Sequence, residues 1–247
     1  MTWYEITRLL AAPFLPVLHG KVRRALKKLV HRTASRPVRI LDVGARKSPY
    51  TIGLPAQITL LDIPQEGEVM KKLNLGFTSL SLEQSRHRRS NIEAVHLQDM
   101  TQSTLSSASF DGVVCVEVIE HILEVEAFVA HIVRVLKPGS WAYFTTPNGD
   151  YIKNEPPHYN PDHVRHFTRA ELAVLLGKYF EHVAVTYGVK TGKYRYRGLR
   201  GISLRSPLRG AQSVISNVIS HLESRGLDES VERTAHLFAV AWKKAVS

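Results

Sequence analysis

Four apolar segments, each ending in an acidic residue, follow one another along the first half of this chain. The first carries Asp42 near its end, and the other three end at Asp62, Asp99 and Glu117. Short apolar segments that alternate with helical stretches indicate the strands of a parallel sheet covered by helices. Ligands of such sheets bind beyond the carboxyl ends of the strands. The four acids are therefore predicted to surround one binding site.

The rest of the chain continues the alternation of strands and helices. Further strands are predicted at 141–145, 181–188 and 234–242, and helices at 48–54, 122–136, 168–179 and 208–225. Together they predict an α/β, Rossmann-like, doubly wound sheet of seven strands with helices on both faces. The sheet should be mostly parallel, with an antiparallel edge strand where the last two strands are neighbours. Thr168 and Glu171 have the spacing of a capping box at the start of one helix.

Composition limits the cellular setting. The single cysteine, Cys115, lies within an apolar segment, so no disulfide framework exists and a cytoplasmic protein is expected. The apolar run from Leu9 to Leu18 is too short to span a bilayer. Basic residues follow this run, whereas they precede the apolar run of a secretory signal.

The positive charge is concentrated in two places. Residues 1–36 hold eight Lys/Arg and one Glu, and residues 189–210 hold seven Lys/Arg and no acid. We therefore divide the chain into a basic helical extension, 1–36, and a domain, 37–247, with a basic insertion at 189–210. A helix over 17–31 is amphipathic. It could lie on an anionic membrane, at the inner face, or pack its apolar side on the domain.

In their order and spacing, several motifs together resemble the class I S-adenosylmethionine-dependent methyltransferases, in particular the small-molecule branch with the ubiquinone-biosynthesis O-methyltransferases. The motifs are Ile40-Leu-Asp-Val-Gly44, Leu61-Asp62, Leu97-Gln-Asp99, Ser109–His121, Arg134–Asn148 and His163–Leu172. The resemblance implies S-adenosylmethionine as cofactor and methyl transfer as activity. It implies that Gly44 lets the backbone approach the methionine part of the cofactor. Asp62 would accept hydrogen bonds from the ribose hydroxyls.

The resemblance also assigns the adenine amine to Asp99, with Met100 against the ring, and the floor beside the sulfonium to Val116 and Glu117. The predicted cofactor-binding residues are Asp42, Gly44, Ala45, Arg46, Asp62, Ile63, Asp99, Met100, Val116 and Glu117. One residue departs from the family. Arg46 stands where a glycine is usual, and it could pair with the cofactor carboxylate or block the pocket. Ser48 and Pro49 predict that a helix begins after this turn.

Methyl transfer to a hydroxyl needs alignment and a general base, and histidine is the usual base near neutral pH. We select His121 as the first candidate and His158 as the second, and expect His163 and His166 to brace their loop. Glu120 and His121 also match a Glu-x-x-Glu-His pattern that binds a divalent metal in the ubiquinone-type enzymes. The same letters occur in metal-free relatives, and we assign no metal ligand.

The basic segment 189–210 indicates which kind of molecule accepts the methyl group. Its arginines alternate with Tyr194 and Tyr196 and would suit an anionic acceptor near the site. We expect a small-molecule or lipid-linked anionic acceptor, with O-methylation favoured. Nucleic acid (RNA) is the less favoured partner, since basic residues among aromatics also bind single strands. A non-catalytic partner protein with the methyltransferase fold is the third interpretation.

Overall fold

The computed structural model describes residues 1–45, 48–65, 76, 78–156, 159–191 and 207–246. The strands are β1 Arg39–Val43, β2 Gln57–Asp62, β3 Ile92–Leu97, β4 Phe110–Val116, β5 Leu136–Pro147, β6 His182–Lys190 and β7 Thr234–Trp242. The helices are α1 Trp3–Ala11, α2 Val17–Arg32, α3 Ser79–Arg88, α4 Val125–Val135, α5 Arg169–Gly177 and α6 Pro207–Glu223.

The seven strands form one sheet in the order β3-β2-β1-β4-β5-β7-β6. The pairs from β3 to β5 are parallel, whereas β7 runs antiparallel to both β5 and β6. The predicted Rossmann-like, mostly parallel sheet is confirmed. The antiparallel strand lies one place in from the edge, because the last strand of the chain inserts between β5 and β6. Because β1 to β4 are parallel, their carboxyl ends meet at one edge of the sheet.

Helices cover both faces of the sheet with separate apolar cores. On one face, α4 and α5 bury Phe128, Ile132 and Leu172 against the strands. On the other face, α2 buries Val22 and Leu26. Of the two alternatives for the amphipathic helix, packing on the domain is therefore what the structure shows for α2. The division of the chain at residue 36 stays a prediction.

The predicted helix over 48–54 is wrong. Residues 50–53 form turns, and Ser48, Pro49 and Leu54 on either side belong to no helix or strand. Ser48 does not cap a helix, because its hydroxyl donates to the Asp42 carboxylate at 2.8 Å. Thr51 donates to the same carboxylate at 2.6 Å. Both hydroxyls are thus engaged with a buried carboxylate in β1, and the Ser48 hydroxyl does not accept the backbone N–H bond of a helix cap.

The other predicted helices agree with the structure to within a few residues, and the capping box of Thr168 and Glu171 is confirmed. None of the helices in the described ranges has both the length and the apolar character needed to cross a bilayer. Most of the basic insertion, residues 192–206, lies outside the described residues.

Candidate active site

A cavity of about 650 Å³ opens at the carboxyl ends of β1 to β4. The turn after β1, the ends of β2 and β3, and the segment after β4 form its walls, and the loop around residues 160–163 lies across from them. Seven of the predicted residues line it, namely Gly44, Asp62, Ile63, Asp99, Met100, Val116 and Glu117, together with His121. The expectation that the acids at strand ends surround one site therefore holds for three of the four.

Gly44 begins the turn after β1 in a conformation that only glycine adopts readily. Its φ is +70°, and a Cβ at this position would lie 2.5 Å from the Cγ2 of Val118. The Gly44 N–H donates to the carbonyl of Leu61 at 2.9 Å, which ties the turn to the end of β2. Any larger residue here would force the turn and Val118 apart and reshape the cavity wall.

Asp62 and Asp99 lie side by side at the ends of β2 and β3. The backbone N–H of Gln98 donates to the Asp62 carbonyl at 3.0 Å. One oxygen of Asp62 accepts from the Ile63 N–H at 2.9 Å, and one oxygen of Asp99 accepts from the Thr101 N–H at 2.8 Å. These bonds fix each carboxylate at the rim of the cavity, so the pair is preorganised to accept hydrogen bonds from a polar ligand.

Asp42 and Ala45, predicted to bind the cofactor, do not line the cavity. Ala45 is buried in the core beneath α2. Asp42 is fully buried in β1, where it holds Ser48 and Thr51. Burial raises the pKa of Asp42 to about 6, although the Thr51 hydrogen bond and the Arg89 charge lower it. Asp42 therefore supports the turn from below.

The N-terminal segment is connected to this support. Arg89 is buried, and its Nη2 donates to the Thr51 hydroxyl at 2.8 Å. The next residue, Ser90, donates through its N–H and its hydroxyl to the carboxylate of Glu5 on α1, at 3.0 and 2.8 Å. Arg23 on α2 donates to the carbonyl of Ile52 in the same turn. Both N-terminal helices thus contribute to the position of the turn beside the cavity.

Glu117 follows β4 with an unusual positive φ of 55°. Its carboxylate accepts hydrogen bonds from the Thr145 hydroxyl at 2.8 Å and from Nδ1 of His236 at 3.1 Å. Its N–H donates to the Thr145 carbonyl at 3.1 Å. Contacts from β5 and β7 therefore stabilise the strained backbone and aim Glu117 at the cavity floor, beside Val116.

His121, the first candidate base, lies on the cavity wall. Its Nδ1 is 2.7 Å from the carbonyl oxygen of Asp162. A carbonyl only accepts, so Nδ1 carries the proton in the neutral ring, and Nε2 keeps its lone pair. The loop therefore orients His121 and selects the tautomer of its neutral ring that has the lone pair on Nε2.

His163 also lines the cavity, a role that the sequence analysis missed. His166 donates from Nδ1 to the carbonyl of Ile152 at 2.7 Å, so its Nε2 accepts from Nδ1 of His163 at 2.8 Å. The two histidines brace the loop, as expected, and leave Nε2 of His163 unprotonated. Burial and the neighbouring His121 and His166 lower the pKa of His163 to about 4.

Glu120 is fully buried next to the two histidines. Burial, together with the charge of Glu117, raises the pKa of Glu120 well above its ordinary value. One carboxylate oxygen of Glu120 and one nitrogen each of His121 and His163 lie within 4.8 Å of one another. Such a set of ligands suits a divalent transition metal as well as a proton. Our assignment of no metal ligand stays a prediction.

Two predicted residues, Arg46 and His158, lie outside the described residues. The cavity is also lined by residues that we did not select, among them Tyr50, Gln98, Val118, Ile122, Phe128, Asn160, Asp162 and His163. Tyr50 belongs to the turn after β1, and the last three to the loop 146–167. No motif marked these residues as lining the cavity, and Tyr50 fell within the helix that was wrongly predicted over 48–54.

A family model for a methyltransferase domain matches residues 18–179, well over half of the chain. The chain belongs to the S-adenosylmethionine-dependent methyltransferases. The predicted resemblance to the class I enzymes is thereby confirmed. S-adenosylmethionine is the cofactor of this methyltransferase.

The methyltransferase has curated relatives of modest similarity. It is 29% identical over 167 residues to a Mycolicibacterium smegmatis protein named as a probable S-adenosylmethionine-dependent methyltransferase, covering 67% of this chain and 60% of the relative. It is 25% identical over 150 residues to a ubiquinone biosynthesis O-methyltransferase of Thiobacillus denitrificans, covering 55% of this chain and 60% of the relative. The matches thus span about three fifths of these relatives' lengths.

Solved structures share the fold of this methyltransferase. A methyltransferase from Thermotoga maritima superposes with a TM-score of 0.58 at 16% identity, covering 92% of both chains. Phosphoethanolamine N-methyltransferase 2 of Haemonchus contortus gives 0.57 at 15% identity, covering 90% of this chain and 52% of that one. At such low identity, these likenesses establish the architecture alone.

The residues at the cavity fit the cofactor. The Cβ-free Gly44, with its positive φ, leaves the backbone accessible at the wall, and Asp62 and Asp99 supply fixed acceptors for hydroxyl and amine groups. Met100, which is almost fully buried, gives an apolar surface beside Asp99. Glu117 adds a carboxylate at the floor, which favours a positively charged group. Gly44, Asp62, Asp99, Met100 and Glu117 would hold the cofactor.

Proposed function

We propose that this protein transfers a methyl group from S-adenosylmethionine to a hydroxyl of an anionic small-molecule or lipid-linked acceptor. The observation that carries the proposal is one cavity with two unlike walls. Gly44, Asp62 and Asp99 line one part of it, which we call the first wall, and His121 and His163 line another part, the second wall. In the neutral form of each of these two histidines, the hydrogen bond of Nδ1 leaves Nε2 without a proton. When bound, S-adenosylmethionine would supply a methyl group on a positively charged sulfur; as the acceptor oxygen bonds to the methyl carbon, the carbon–sulfur bond breaks and the sulfur leaves as a neutral thioether.

His121 supports the preference for O-methylation. A neutral amine attacks without prior loss of a proton, whereas a hydroxyl of high pKa needs a base at the moment of transfer. The Asp162 carbonyl fixes the tautomer of His121 with the lone pair on Nε2. His121 Nε2 would take the hydroxyl proton as the acceptor oxygen forms its bond to the methyl group. Named O-methyltransferases among the relatives are in line with this chemistry.

The anionic character of the acceptor is supported by the sequence. Residues 189–210 carry seven Lys/Arg and no acid. They follow β6, which lies parallel to β5, so the segment leaves the sheet at the edge where the cavity opens. Carboxylate, phosphate or pyrophosphate groups would suit such a segment.

The test uses an unbiased acceptor pool. Purified protein is incubated with methyl-labelled S-adenosylmethionine and a cell extract, and the label is separated into small-molecule, lipid, RNA and protein fractions. We expect label as an alkali-stable methyl ether in the small-molecule or lipid fraction, and about 100-fold slower labelling with His121→Ala. Label confined to RNA would support the nucleic-acid interpretation instead.

A binding measurement addresses the non-catalytic interpretation. Calorimetric titration with S-adenosylmethionine and with its demethylated product should show binding of both. If neither binds, the cavity does not serve a methyltransferase reaction in this protein, and the interpretation as a fold-sharing partner protein is preferred.

The assignment of no metal ligand has its own test. After dialysis against a chelator, we expect methyl transfer to continue at an unchanged rate, with no metal detected in the purified protein. Activity that is lost with the chelator and restored by a divalent cation, but not in Glu120→Gln, would contradict the assignment and make Glu120, His121 and His163 the metal site.

A further inference from the structure

The last helix of the chain, α6, is packed with its polar side inward. The residues that it buries are Ser213, Ser216, Asn217 and Ser220. Five of the residues that it exposes are apolar and recur at helical spacing, namely Leu208, Ala211, Ile215, Val218 and Leu222, and Gln212 is exposed beside them. An amphipathic helix on a globular protein normally buries its apolar stripe and exposes the polar one. The reversed orientation indicates that the apolar stripe has a use outside the described fold.

Polar contacts hold α6 in this orientation. The side-chain amide of Asn217 donates to the carbonyl of Phe14 at 2.7 Å. Nε2 of His221 lies 2.9 Å from the carbonyl of Leu15 and donates to it. These bonds attach the inner side of α6 to the turn that joins α1 and α2. Rotating the helix to bury its apolar stripe would break both hydrogen bonds.

The first helix has the same arrangement. Its one fully buried side chain is Glu5, which caps the helix and binds Ser90. The stripe Trp3, Ile6, Leu10 and Phe14 is exposed, with Trp3 at 77% and Leu10 at 71%. Phe14 lies in the turn to which α6 is attached. The two apolar stripes, on α1 with Phe14 and on α6, therefore border the same turn; we name them together the outer stripes.

Charge distinguishes between the occupants that such a surface can have. Glu5 is the only acid in residues 1–36 and it is buried, whereas Arg24, Lys27 and Lys28 on the following helix are exposed. A second copy of the chain would bring two such basic segments together, and they would repel each other. An anionic bilayer attracts them, and its interface takes up apolar side chains and tryptophan.

We infer that the outer stripes dock this protein on the surface of an anionic membrane. The helices α1 and α6 lie in the interface, and no segment crosses the bilayer in this arrangement. This differs from the membrane contact predicted from the sequence, because α2 buries its apolar side within the fold. The inference does not depend on the identity of the methyl acceptor.

The experiment measures binding of the full-length protein to phosphatidylcholine vesicles with and without phosphatidylglycerol, by cosedimentation. We expect binding to the anionic vesicles and a fall of about tenfold in the partition coefficient for Leu10→Glu and for Ile215→Glu. Val174→Glu is the matched control, because Val174 is an exposed apolar residue on α5, 66% exposed, outside the outer stripes. It should bind as the unmodified protein does.

A second readout reports on α1 directly. Trp141 is buried, whereas Trp3 is exposed, so we expect the tryptophan emission to shift to the blue on addition of anionic vesicles. The shift should be absent in Trp3→Phe. Point variants are preferable to a truncation, because Glu5 and Arg23 also support the turn beside the cavity.

Two results overturn the inference. One is the absence of binding to anionic vesicles, or binding that Leu10→Glu and Ile215→Glu leave unchanged. The other is a dimer in sedimentation equilibrium without lipid that Ile215→Glu converts to a monomer, since the stripes would then be an interface between copies. Calorimetry with S-adenosylmethionine on the same variants should show unchanged affinity, so failure here is distinguishable from failure of the proposed function.

Discussion

The two walls of the cavity are built in different ways. The wall formed by Gly44, Asp62 and Asp99 comes from the ends of adjacent parallel strands, and its side chains are fixed by backbone groups one or two residues away. The wall with His121 and His163 is fixed by contacts between distant parts of the chain, such as His121 with Asp162. The two carboxylates of the first wall are held by local contacts, whereas the second wall depends on how a loop packs. Changes in the first should affect cofactor affinity, and changes in the second should affect turnover.

The largest effect is expected for Gly44→Ala. Gly44 has a positive φ, and a Cβ added to it would lie 2.5 Å from Cγ2 of Val118. The methyl group of alanine would therefore strain the turn and displace the wall. We expect the affinity for S-adenosylmethionine to fall by about 100-fold or more. Isothermal titration calorimetry measures the loss. Gly177→Ala is the control, since Gly177 has open space at its Cβ position. Unchanged affinity of Gly44→Ala would mean that the turn is not a rigid part of the wall.

His121→Ala should lower kcat by about 100-fold, the lower range of what a general base contributes. Because His121 belongs to the other wall, the dissociation constant for S-adenosylmethionine should stay the same. Exposed His182, at the start of β6, provides the control variant His182→Ala. A parallel loss of cofactor affinity in His121→Ala would contradict the separation between the walls.

Asp62→Asn should weaken S-adenosylmethionine binding by about 30-fold, because hydrogen bonds to a charged acceptor contribute about 1.5–3 kcal/mol. Turnover at saturating cofactor should change little. Asp228→Asn removes a carboxylate from an exposed ion pair with Lys21 and serves as control. A fall in kcat without a change in affinity would assign Asp62 to the reaction and not to cofactor binding.

Arg89→Met tests the support beneath the first wall. It removes the 2.8 Å hydrogen bond to Thr51, and with it a positive charge near Asp42. One hydrogen bond of about 1 kcal/mol corresponds to about fivefold in cofactor affinity. The pKa of Asp42 should rise further, so the loss should vary with pH. The neighbouring Arg88 is exposed, and Arg88→Met should bind S-adenosylmethionine normally.

The smallest effect concerns acid stability. The pKa of His163 is lowered from 6.5 to about 4 in the folded protein, so between these pH values the unfolded chain binds a proton that the folded chain does not. Stability should therefore fall as the pH is lowered through this range. His163→Gln should lose less of its Tm over the range than the unmodified protein, as measured by differential scanning fluorimetry. Curves that run parallel for the two proteins would show that His163 is not protected from protonation.

Much of the first wall could be predicted from the sequence, because Asp62 and Asp99 lie at or just beyond the ends of their strands and parallel strands align their ends. Asp42 is the exception. It lies inside β1, one residue before the strand ends, and its carboxylate accepts hydrogen bonds from Ser48 and Thr51 beneath the turn. The periodicity of the strand did not indicate that these two hydroxyls would donate hydrogen bonds to Asp42. The same contacts explain why the predicted helix at 48–54 does not form.

The second wall was less predictable. His121 could be selected because it follows β4, but the role of His163 depends on a chain of hydrogen bonds through His166 to Ile152. No spacing in the sequence encodes that chain, since it exists only once the loop has folded over the cavity. The basic residues of the N-terminal segment suggested that α2 could contact a membrane. In the structure, the apolar side of α2 is part of the core.

The sequence by itself determined the order of strands and helices, the mostly parallel sheet and the edge at which ligands bind, because these follow from apolar periodicity and from acids at strand ends. Only the tertiary structure decided which polar groups face the cavity, which lie beneath it, and which sides of α1 and α6 face solvent. Those outcomes depend on hydrogen bonds between residues far apart in the chain, such as Glu5 with Ser90 and Asn217 with Phe14. The sequence of a helix shows which residues share a side, but the packing of the whole fold decides which side is buried.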